Sequence, residues 1–237
     1  MAGRVRGSTV IKHGGGSYRL TPEMVIRAYS IGIFPMASNR HDPHVHWVAP
    51  NARGILPLHG FHLPRRLAKT IRRRPYAITC NHDFAGVIAG CAAPRPLHPE
   101  TWINAEITRV FIRLHDLGRA HSIEAWRDGR LVGGLYGMAL GGAFFGESMF
   151  SRATDASKIV LVHLVALLRR GGFTLLDTQF ITDHLRQFGA VEIPNPVYLQ
   201  MLDDALQQRA TFYSGLGEDE LSAGALELAT QSTTTTS

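Results

Sequence analysis

The residues best suited to chemistry in this sequence lie in two short stretches, 146–151 and 177–179. The first carries Glu147 among apolar neighbours, and the second carries Asp177 and Gln179. A carboxylate among apolar side chains is costly to bury unless it has a partner or a catalytic task. If both stretches are strands of one sheet, they place two carboxylates and one amide beside an apolar rim. Such a site suits direct transfer between two bound substrates, without a covalent enzyme intermediate.

No activated nucleophile or phosphate-binding loop accompanies these residues in the sequence. Ser148 follows Gly146 and Glu147, but it lacks the Gly-x-Ser-x-Gly pattern of a nucleophile elbow. The glycine pairs at 133–134 and 141–142 do not have the spacing of a phosphate loop or a dinucleotide fingerprint. The motifs therefore favour a site that holds its substrates without a covalent or nucleotide-cofactor step.

Two less specific interpretations stand beside this one. In the first, Glu147 and Asp177 are structural residues at strand ends, paired with Arg152 or His184. The second concerns the polar loop 37–46, which contains three histidines and one aspartate. These residues lack the spacing of a known zinc signature, so a histidine-rich surface loop is favoured. Neither a metal nor a cofactor is expected.

A sheet must position the acidic residues, and its strands are readable from the hydrophobic alternation. Residues 121–127 and 130–136 are joined by Asp-Gly, which predicts a β-hairpin. Residues 139–151 continue the sheet, and 173–181 form a further strand. Between them, the apolar run 159–168 is typical of a buried helix.

The strand over residues 139–151 has a predicted orientation. Its period of two places Phe145, Glu147 and Met149 on one face. Glycines crowd this part of the sequence, and glycine weakens a strand unless the backbone bends there or another group approaches closely. They are Gly133, Gly134, Gly137, Gly141 and Gly142.

Helices and one further strand complete the expected α+β fold with a mixed sheet. Thr21, followed by proline, predicts the start of a helix that ends near residue 30. Residues 106–117 carry a helical apolar stripe, and 194–209 supply a last helix. Residues 54–58 form a short strand, which Pro57 makes a candidate edge strand.

A helix that begins at Pro64 carries six cations and no acidic residue. Residues 1–75 hold 13 Lys/Arg against 2 Asp/Glu, whereas residues 76–237 hold 12 against 17. Cations without acidic neighbours repel one another unless an anion binds, so a surface facing phosphates is favoured over a merely solvated one. We call these residues the basic stripe: Arg65, Arg66, Lys69, Arg72, Arg73 and Arg74.

The composition of the chain restricts the class of protein to which it can belong. The chain of 237 residues is 45% hydrophobic, with a mean hydropathy near zero, as is typical of a globular protein with a real core. No apolar run reaches the roughly 18 residues that a membrane span needs. Two cysteines make a disulfide framework improbable and favour the reducing cytoplasm. Residues 214–237 are predicted to be a disordered tail, because they end in a low-complexity run.

Seven motifs in chain order resemble the bacterial leucyl/phenylalanyl-tRNA–protein transferases, over about residues 21–206. The Gly-Glu-Ser-Met-Phe-Ser block, with Asp-x-Gln 30 residues further on, is specific to this family. The motifs are Gly32-Ile33-Phe34-Pro35, Thr101-Trp102-Ile103-Asn104, His121-Ser122-Ile123-Glu124, Leu131-Val132-Gly133-Gly134-Leu135-Tyr136-Gly137, Phe145-Gly146-Glu147-Ser148-Met149-Phe150-Ser151, Ala156-Ser157-Lys158 and Asp177-Thr178-Gln179.

The resemblance implies a fold, an activity and a division into domains. Residues 1–50 would form a small N-terminal domain, and 51–213 an acetyltransferase-like (GNAT-like) domain with a mixed sheet flanked by helices. The activity would be transfer of Leu or Phe, and sometimes Met, from aminoacyl-tRNA to the α-amine of proteins beginning with Arg or Lys. In the family, this product marks proteins for degradation by the bacterial N-end rule pathway.

The resemblance also implies roles for individual residues. Asp177 and Gln179 would be catalytic, and the basic stripe would bind tRNA. Leu135 and Phe144 would line the aminoacyl pocket. The remaining substrate-binding positions would be Trp102, Glu147, Ser148 and Met36, the last of which stands where some members have Trp.

Two other function classes share parts of this pattern. An acyl-CoA-dependent N-acyltransferase would share the fold, and fold alone cannot separate the two activities. Such enzymes usually carry a glycine-rich turn before the central helix, but residues 151–156 contain no glycine and include Asp155. An RNA-binding protein without activity would explain the basic stripe, but it would leave Asp177 and Gln179 without a role.

Overall fold

The computed structural model describes residues 8–11, 19–94 and 100–234 of the chain, and the element bounds below refer to these residues. The strands are β1 (Ser8–Ile11), β2 (Phe34–Met36), β3 (His46–Pro50), β4 (Ala52–Ile55), β5 (Ala77–Cys80), β6 (Ala120–Arg127), β7 (Arg130–Leu140), β8 (Ala143–Ser151), β9 (Leu175–Gln179) and β10 (Val191–Pro194). The helices are α1 (Pro22–Ser30), α2 (Arg65–Arg72), α3 (Phe84–Ala92), α4 (Ala105–Asp116), α5 (Ala156–Arg170), α6 (Asp183–Arg186), α7 (Asn195–Leu206) and α8 (Glu218–Thr234).

The central element is a seven-stranded sheet with the order β10-β4-β9-β8-β7-β6-β5. Strands β8 and β9 run parallel, and the other neighbouring pairs are antiparallel. The predicted α+β class with a mixed sheet is therefore confirmed. A separate antiparallel sheet of order β1-β3-β2 lies in the N-terminal part. Strand β4 is not an edge strand, because it ends at Ile55, before Pro57, and lies between β10 and β9.

Local signals placed several element ends correctly. Asp128 and Gly129 have φ values of 51° and 69°, so both central turn residues are left-handed, as a tight hairpin between β6 and β7 requires. At the start of α1, the Thr21 side chain accepts a hydrogen bond from the backbone N–H of Met24, and proline occupies the first turn. The predicted hairpin and the predicted start of this helix are both confirmed.

A β-bulge changes the orientation of residues along β8. Tyr136 pairs with Ser148 and Gly137 pairs with Gly146, so Glu147 is the extra residue. A side chain at Gly137 would collide with the carbonyl oxygen of Phe145, so glycine permits this close approach. Phe145 and Glu147 face the same core, as predicted, but the prediction for Met149 was wrong. The bulge shifts the alternation, and Met149 packs on the opposite face.

Each face of the large sheet carries its own hydrophobic core. Helices α2, α5 and α8 cover one face, and α1, α3, α4 and α7 cover the other. A Cβ atom at Gly133 would lie 2.6 Å from the Cβ atom of Ala156, so glycine lets β7 approach the start of α5. In the part of the chain that the structure describes, none of these helices has both the length and the hydropathy of a membrane span.

The prediction of a disordered tail from residue 214 was wrong for most of its length. Residues 218–234 form α8, which packs on α2 and α5. Leu221, Ala225 and Leu228 are buried there, and their spacing is that of an apolar helical stripe. The low-complexity run, 231–237, lies beyond this stripe and was not a reason to call the whole segment disordered. Residues 235–237 lie outside the described residues.

Candidate active site

A cavity of about 570 Å³ opens where β8 and β9 separate. The parallel pairing of these strands ends at Phe145 and Asp177. Beyond that point, β8 remains paired with β7, whereas β9 ends at Gln179, whose φ of 55° is left-handed. Both separating segments line the cavity, which places it at the carboxyl ends of a parallel strand pair.

One part of the cavity is lined by aliphatic side chains. These side chains belong to β7, β8, β9, α5 and α6. They are Leu135, Met149, Leu176, Leu161, Leu164 and Leu185. Another part of the lining is polar and includes Glu147, Ser148 and Gln179. A ligand with an apolar group and a polar reactive end fits such a mixed lining.

Glu147 is held at the polar part by two hydrogen bonds to its Oε1 atom. The Tyr29 hydroxyl donates over 2.7 Å, and the Gln179 side-chain amide donates over 3.2 Å. Burial raises the pKa of Glu147 to about 8; the charge of Asp177 acts in the same direction, and the Tyr29 hydrogen bond opposes it. At neutral pH this carboxyl is therefore mostly protonated. Its Oε2 atom receives neither of these hydrogen bonds.

Asp177 lies behind the cavity wall and is fully buried. Arg53 of β4 donates to both carboxylate oxygens, with the shortest distance, 2.7 Å, between Nη2 and Oδ2. The Tyr198 hydroxyl of α7 donates to Oδ2, also over 2.7 Å. The structural alternative, in which Asp177 pairs with Arg152 or His184, is therefore wrong.

Gln179 connects Asp177 to the cavity. Its backbone N–H donates to Oδ1 of Asp177 over 2.8 Å, and its side chain lines the cavity. A left-handed backbone costs a residue other than glycine roughly 1–3 kcal/mol, so the surrounding contacts must hold it in place. The Asp177 carboxylate supplies one such contact to the backbone N–H of Gln179, while the side-chain amide of Gln179 donates to Glu147.

Three buried polar atoms at the cavity have no hydrogen-bond partner among the described residues. They are the hydroxyls of Tyr136 and Thr178 and the Nε2 atom of His184. All three residues line the cavity. Buried polar groups are nearly always hydrogen-bonded, so these three atoms are exceptions beside the cavity.

Comparison with known proteins decides the family. The family model of the leucyl/phenylalanyl-tRNA protein transferases matches residues 55–203, and the model of their N-terminal domain matches residues 18–51. The chain belongs to the leucyl/phenylalanyl-tRNA protein transferase family. The resemblance seen in the motifs is thereby confirmed, and with it the prediction of an aminoacyltransferase.

Relatives of this transferase are similar over most of its length. A leucyl/phenylalanyl-tRNA–protein transferase of Rhodopseudomonas palustris is 59% identical over 193 residues, covering 81% of this chain and 86% of the relative. One from Nitrobacter winogradskyi is 56% identical and covers 83% of this chain and 87% of the relative.

Among solved structures, the similarity is distant. The C-terminal domain of a putative lysylphosphatidylglycerol synthetase from Agrobacterium fabrum is 12% identical and superposes with a TM-score of 0.39. The match covers 88% of this chain and 62% of that chain. A TM-score of this size does not establish a shared fold.

The transferase places most of the predicted catalytic and substrate-binding residues together. The cavity is lined by Gln179 and by five of the predicted substrate-binding residues, namely Met36, Trp102, Leu135, Glu147 and Ser148. Two predicted residues are not part of its lining. Asp177 contacts Gln179 from behind the wall, and Phe144 is buried in the core, where its ring stacks on Phe212 at 5.5 Å.

The basic stripe occupies the exposed side of α2 and the residues after it, while Leu67 and Ile71 point into the core. Two of its members contact α8. Arg72 donates to the carbonyl of Ala229 over 2.6 Å, and Arg74 forms an ion pair of 2.9 Å with Asp219. Within the described residues, the other four members are exposed and form no ion pair.

Sequence reasoning missed three residues that hold this site. Arg53 interrupts a short strand of small and apolar residues, and a lone arginine in such a run is a signal for a buried ion pair. Tyr29 lies four residues after Val25 on the buried side of α1, but its hydroxyl reaches Glu147. Tyr198 carries no comparable signal, because its partner Asp177 is known only from the fold.

Proposed function

We propose that the cavity is where a leucyl or phenylalanyl ester of tRNA meets the α-amine of a protein beginning with Arg or Lys, and that the amino acid is transferred to this amine. The observation that carries this proposal is that aliphatic side chains and the polar residues Glu147 and Gln179 line one cavity. The product would mark the acceptor protein for N-end rule degradation. Aminoacyl-tRNA is made in the cytoplasm, where we place the reaction.

The aliphatic part suits the side chain of the donor. A leucine or phenylalanine side chain is unbranched at Cβ, and it would lie between Leu135 and Leu176 on the sheet and Leu161 and Leu164 on α5. Branching at Cβ, as in Ile and Val, would bring a methyl group against the wall. One methylene group more or fewer on the substrate changes the selectivity of such a pocket by about 1–3 kcal/mol.

The polar part suits the reacting atoms. The neutral α-amine attacks the ester carbonyl carbon, the new C–N bond forms, and the C–O bond to the terminal ribose breaks. The amine loses a proton, and the ribose oxygen leaves as a hydroxyl. An α-amine has an intrinsic pKa of about 7.7–8.0, so part of it is already neutral at cytoplasmic pH. No strong base is then required, and the side-chain oxygen of Gln179 can orient the amine by accepting its hydrogen bond.

Glu147 suits a role beside that amine. Its pKa of about 8 lies close to the intrinsic pKa of an α-amine, so a proton can move between the two groups at little cost. The Oε2 atom is free for this contact, because Tyr29 and Gln179 both bind Oε1.

The fold and the domains form part of the same proposal. A mostly antiparallel sheet whose parallel pair, β8 and β9, separates at the cavity supports the acetyltransferase-like assignment. The family models, which match 18–51 and 55–203 separately, support a division into residues 1–50 and 51–213.

Acyl-CoA-dependent transfer is the rival chemistry on such a fold. Asp155 occupies the N-cap of α5 in a left-handed conformation and pairs with Lys158 over 2.7 Å. A carboxylate at this position disfavours a pyrophosphate at the helix start, where the helix dipole would otherwise attract it. The structure therefore favours a tRNA-borne donor.

A transfer assay with several donors tests this proposal. We expect label from leucyl-tRNA to appear in a peptide that begins with Arg, and none to appear when the donor is an acyl-CoA. Isoleucyl-tRNA should transfer tens to a hundredfold more slowly, given the cost of a misplaced methyl group. A peptide whose α-amine is acetylated serves as the control acceptor. Transfer from acyl-CoA, or equal rates from leucyl- and isoleucyl-tRNA, would contradict the proposal.

The basic stripe gives a second prediction. Replacing the four members that lack the α8 contacts described above, Arg65, Arg66, Lys69 and Arg73, by Ala should weaken tRNA binding and flatten its salt dependence. Each lost phosphate contact should reduce the slope of log K against log salt by about 0.7–0.9. Binding is measured by filter retention of leucyl-tRNA between about 50 and 200 mM salt.

A charge-matched variant controls for the change in net charge. It replaces four exposed arginines on other elements: Arg27, Arg113, Arg119 and Arg130. We expect this variant to keep most of the slope. An unchanged slope in the α2 variant would remove the basic stripe from the interface.

A further inference from the structure

Arg53 is the most completely satisfied buried charge near the cavity. Its side chain is fully buried, and its guanidinium lies between the rings of Phe34 and Tyr198, 4.6 Å from each ring centroid. Its Nε and Nη2 atoms bind Asp177, and Nη1 donates to the carbonyl oxygen of Gly32 over 2.9 Å. Burying a charge this deeply is costly, and a cation held on every side indicates a specific task.

The hydrogen bonds of Arg53 join two walls of the cavity. Gly32 lies in the turn after α1, with a φ of 79°, and leads into β2, whose Phe34 and Met36 line the cavity. Asp177 lies on β9 and leads to Gln179, which lines the facing part. One guanidinium therefore sets the position of the N-terminal wall relative to the catalytic amide.

Asp177 has no remaining capacity for a substrate. Its Oδ1 atom accepts from Arg53 and from the backbone of Gln179, and its Oδ2 atom accepts from Arg53 and Tyr198. A carboxylate offers about four lone-pair sites, and these contacts use them while the side chain stays fully buried. Asp177 thus acts through its neighbours, and its orientation is set by Arg53.

We propose that Arg53 is a positioning residue for aminoacyl transfer, which acts through Asp177 on the Gln179 amide and through Gly32 on the Phe34–Met36 wall. The inference rests on the proposed function of the cavity. A lysine would keep the charge, but it presents a single ammonium and cannot make the planar, forked contact to a carboxylate and a carbonyl together. A displacement of about 1 Å in a positioning group can cost on the order of a hundredfold in rate.

The test is Arg53→Lys, with Arg109→Lys as its matched control. Arg109 also joins a carboxylate, Glu106 at 2.7 Å, to a carbonyl of the N-terminal segment, Leu20 at 2.6 Å, but none of these residues lines the cavity. We expect Arg53→Lys to lower the single-turnover transfer rate at least tenfold, with the Kd for leucyl-tRNA within about twofold. Arg109→Lys should leave both within about twofold.

A double-mutant cycle separates positioning from general support of the fold. If Arg53 acts through Gln179, Arg53→Lys should cost much less in a Gln179→Ala background than in the wild type. The inference would be overturned if the effects of Arg53→Lys and Gln179→Ala on the transfer rate were fully additive. It would also be overturned if Arg53→Lys lowered only the tRNA affinity, or if Arg53→Lys and Arg109→Lys lowered the transfer rate equally. Unmodified protein is assayed in parallel, and its failure to transfer leucine would count against the proposed function instead.

A second variant covers the case in which Arg53→Lys does not fold. Replacing the pair together, as Arg53→Met with Asp177→Leu, removes both buried charges, and such replacements are often neutral or stabilising. We expect this protein to fold and to transfer at least tenfold more slowly, with unchanged tRNA affinity. Wild-type transfer by this variant would overturn the inference.

Discussion

Replacing Gln179 by Glu is expected to slow single-turnover transfer at least tenfold at neutral pH, which corresponds to about 1.4 kcal/mol of transition-state stabilisation. The Gln179 amide donates to Oε1 of Glu147 over 3.2 Å, and a carboxylate cannot make this bond when ionised. Burial already raises the pKa of Glu147 to about 8, so the two carboxyl groups would share a proton. The orientation of the attacking amine would be lost with the amide.

A mechanism limited by missing basicity predicts the opposite result, because the new carboxylate can accept a proton. The measurement is the transfer rate to an Arg-initiated peptide between about pH 6 and 9, with the affinity for leucyl-tRNA measured separately. Gln207→Glu is the control, since it makes the same chemical change on an exposed residue after α7. Full activity in Gln179→Glu would show that the amide does not orient the amine.

Asp177→Asn is expected to cause the largest loss of stability. The substitution leaves the fully buried Arg53 without its counter-charge, and breaking a buried ion pair in this way costs about 3–5 kcal/mol. The side-chain NH2 group of Asn would also face the N–H groups of Arg53, so that hydrogen-bond donors would meet without an acceptor. The transfer rate, corrected for the folded fraction, should fall at least tenfold, because one remaining acceptor oxygen cannot serve Arg53, Tyr198 and the Gln179 backbone N–H together.

Urea unfolding gives the stability, and single-turnover transfer gives the rate. The control is Asp116→Asn, which removes an exposed pair with Arg113 at 3.6 Å and should cost less than about 1 kcal/mol. If Asp177→Asn had wild-type stability and a wild-type transfer rate, the Arg53–Asp177 pair would neither stabilise the fold nor position Gln179.

The sequence predicted the site better than it predicted the contacts that hold it. Asp177, Gln179 and Glu147 were expected to converge because apolar strands flank them, and they do meet at the junction of β8 and β9. Arg53 could not be assigned as the partner of Asp177, since 124 residues separate the two in sequence. Their pairing depends on β4 lying beside β9 in the sheet. Strand order of this kind is a tertiary property that no local pattern encodes.

Two other differences have local causes. The alternation along β8 failed at Met149, because a bulge adds one residue to the strand opposite Gly137. The sequence offers glycines there but does not say which of them marks the bulge. Phe144 was expected at the pocket through resemblance, yet its ring points into the core beside Phe173 and Phe212, at centroid distances of 6.3 and 5.5 Å.

The packing of α8 on α2 sets the order in which the protein can finish folding. Roughly 150 residues separate the two helices, so at about 5–20 residues per second α2 waits on the order of 7–30 s for its partner during synthesis. Until then, Ile71 lacks Ser222 and Leu226 beside it, and Arg74 lacks Asp219. While α8 is absent, the growing chain therefore exposes Ile71 beside uncompensated cations of α2. The arrival of α8 covers this surface and adds the acidic residue that pairs with Arg74.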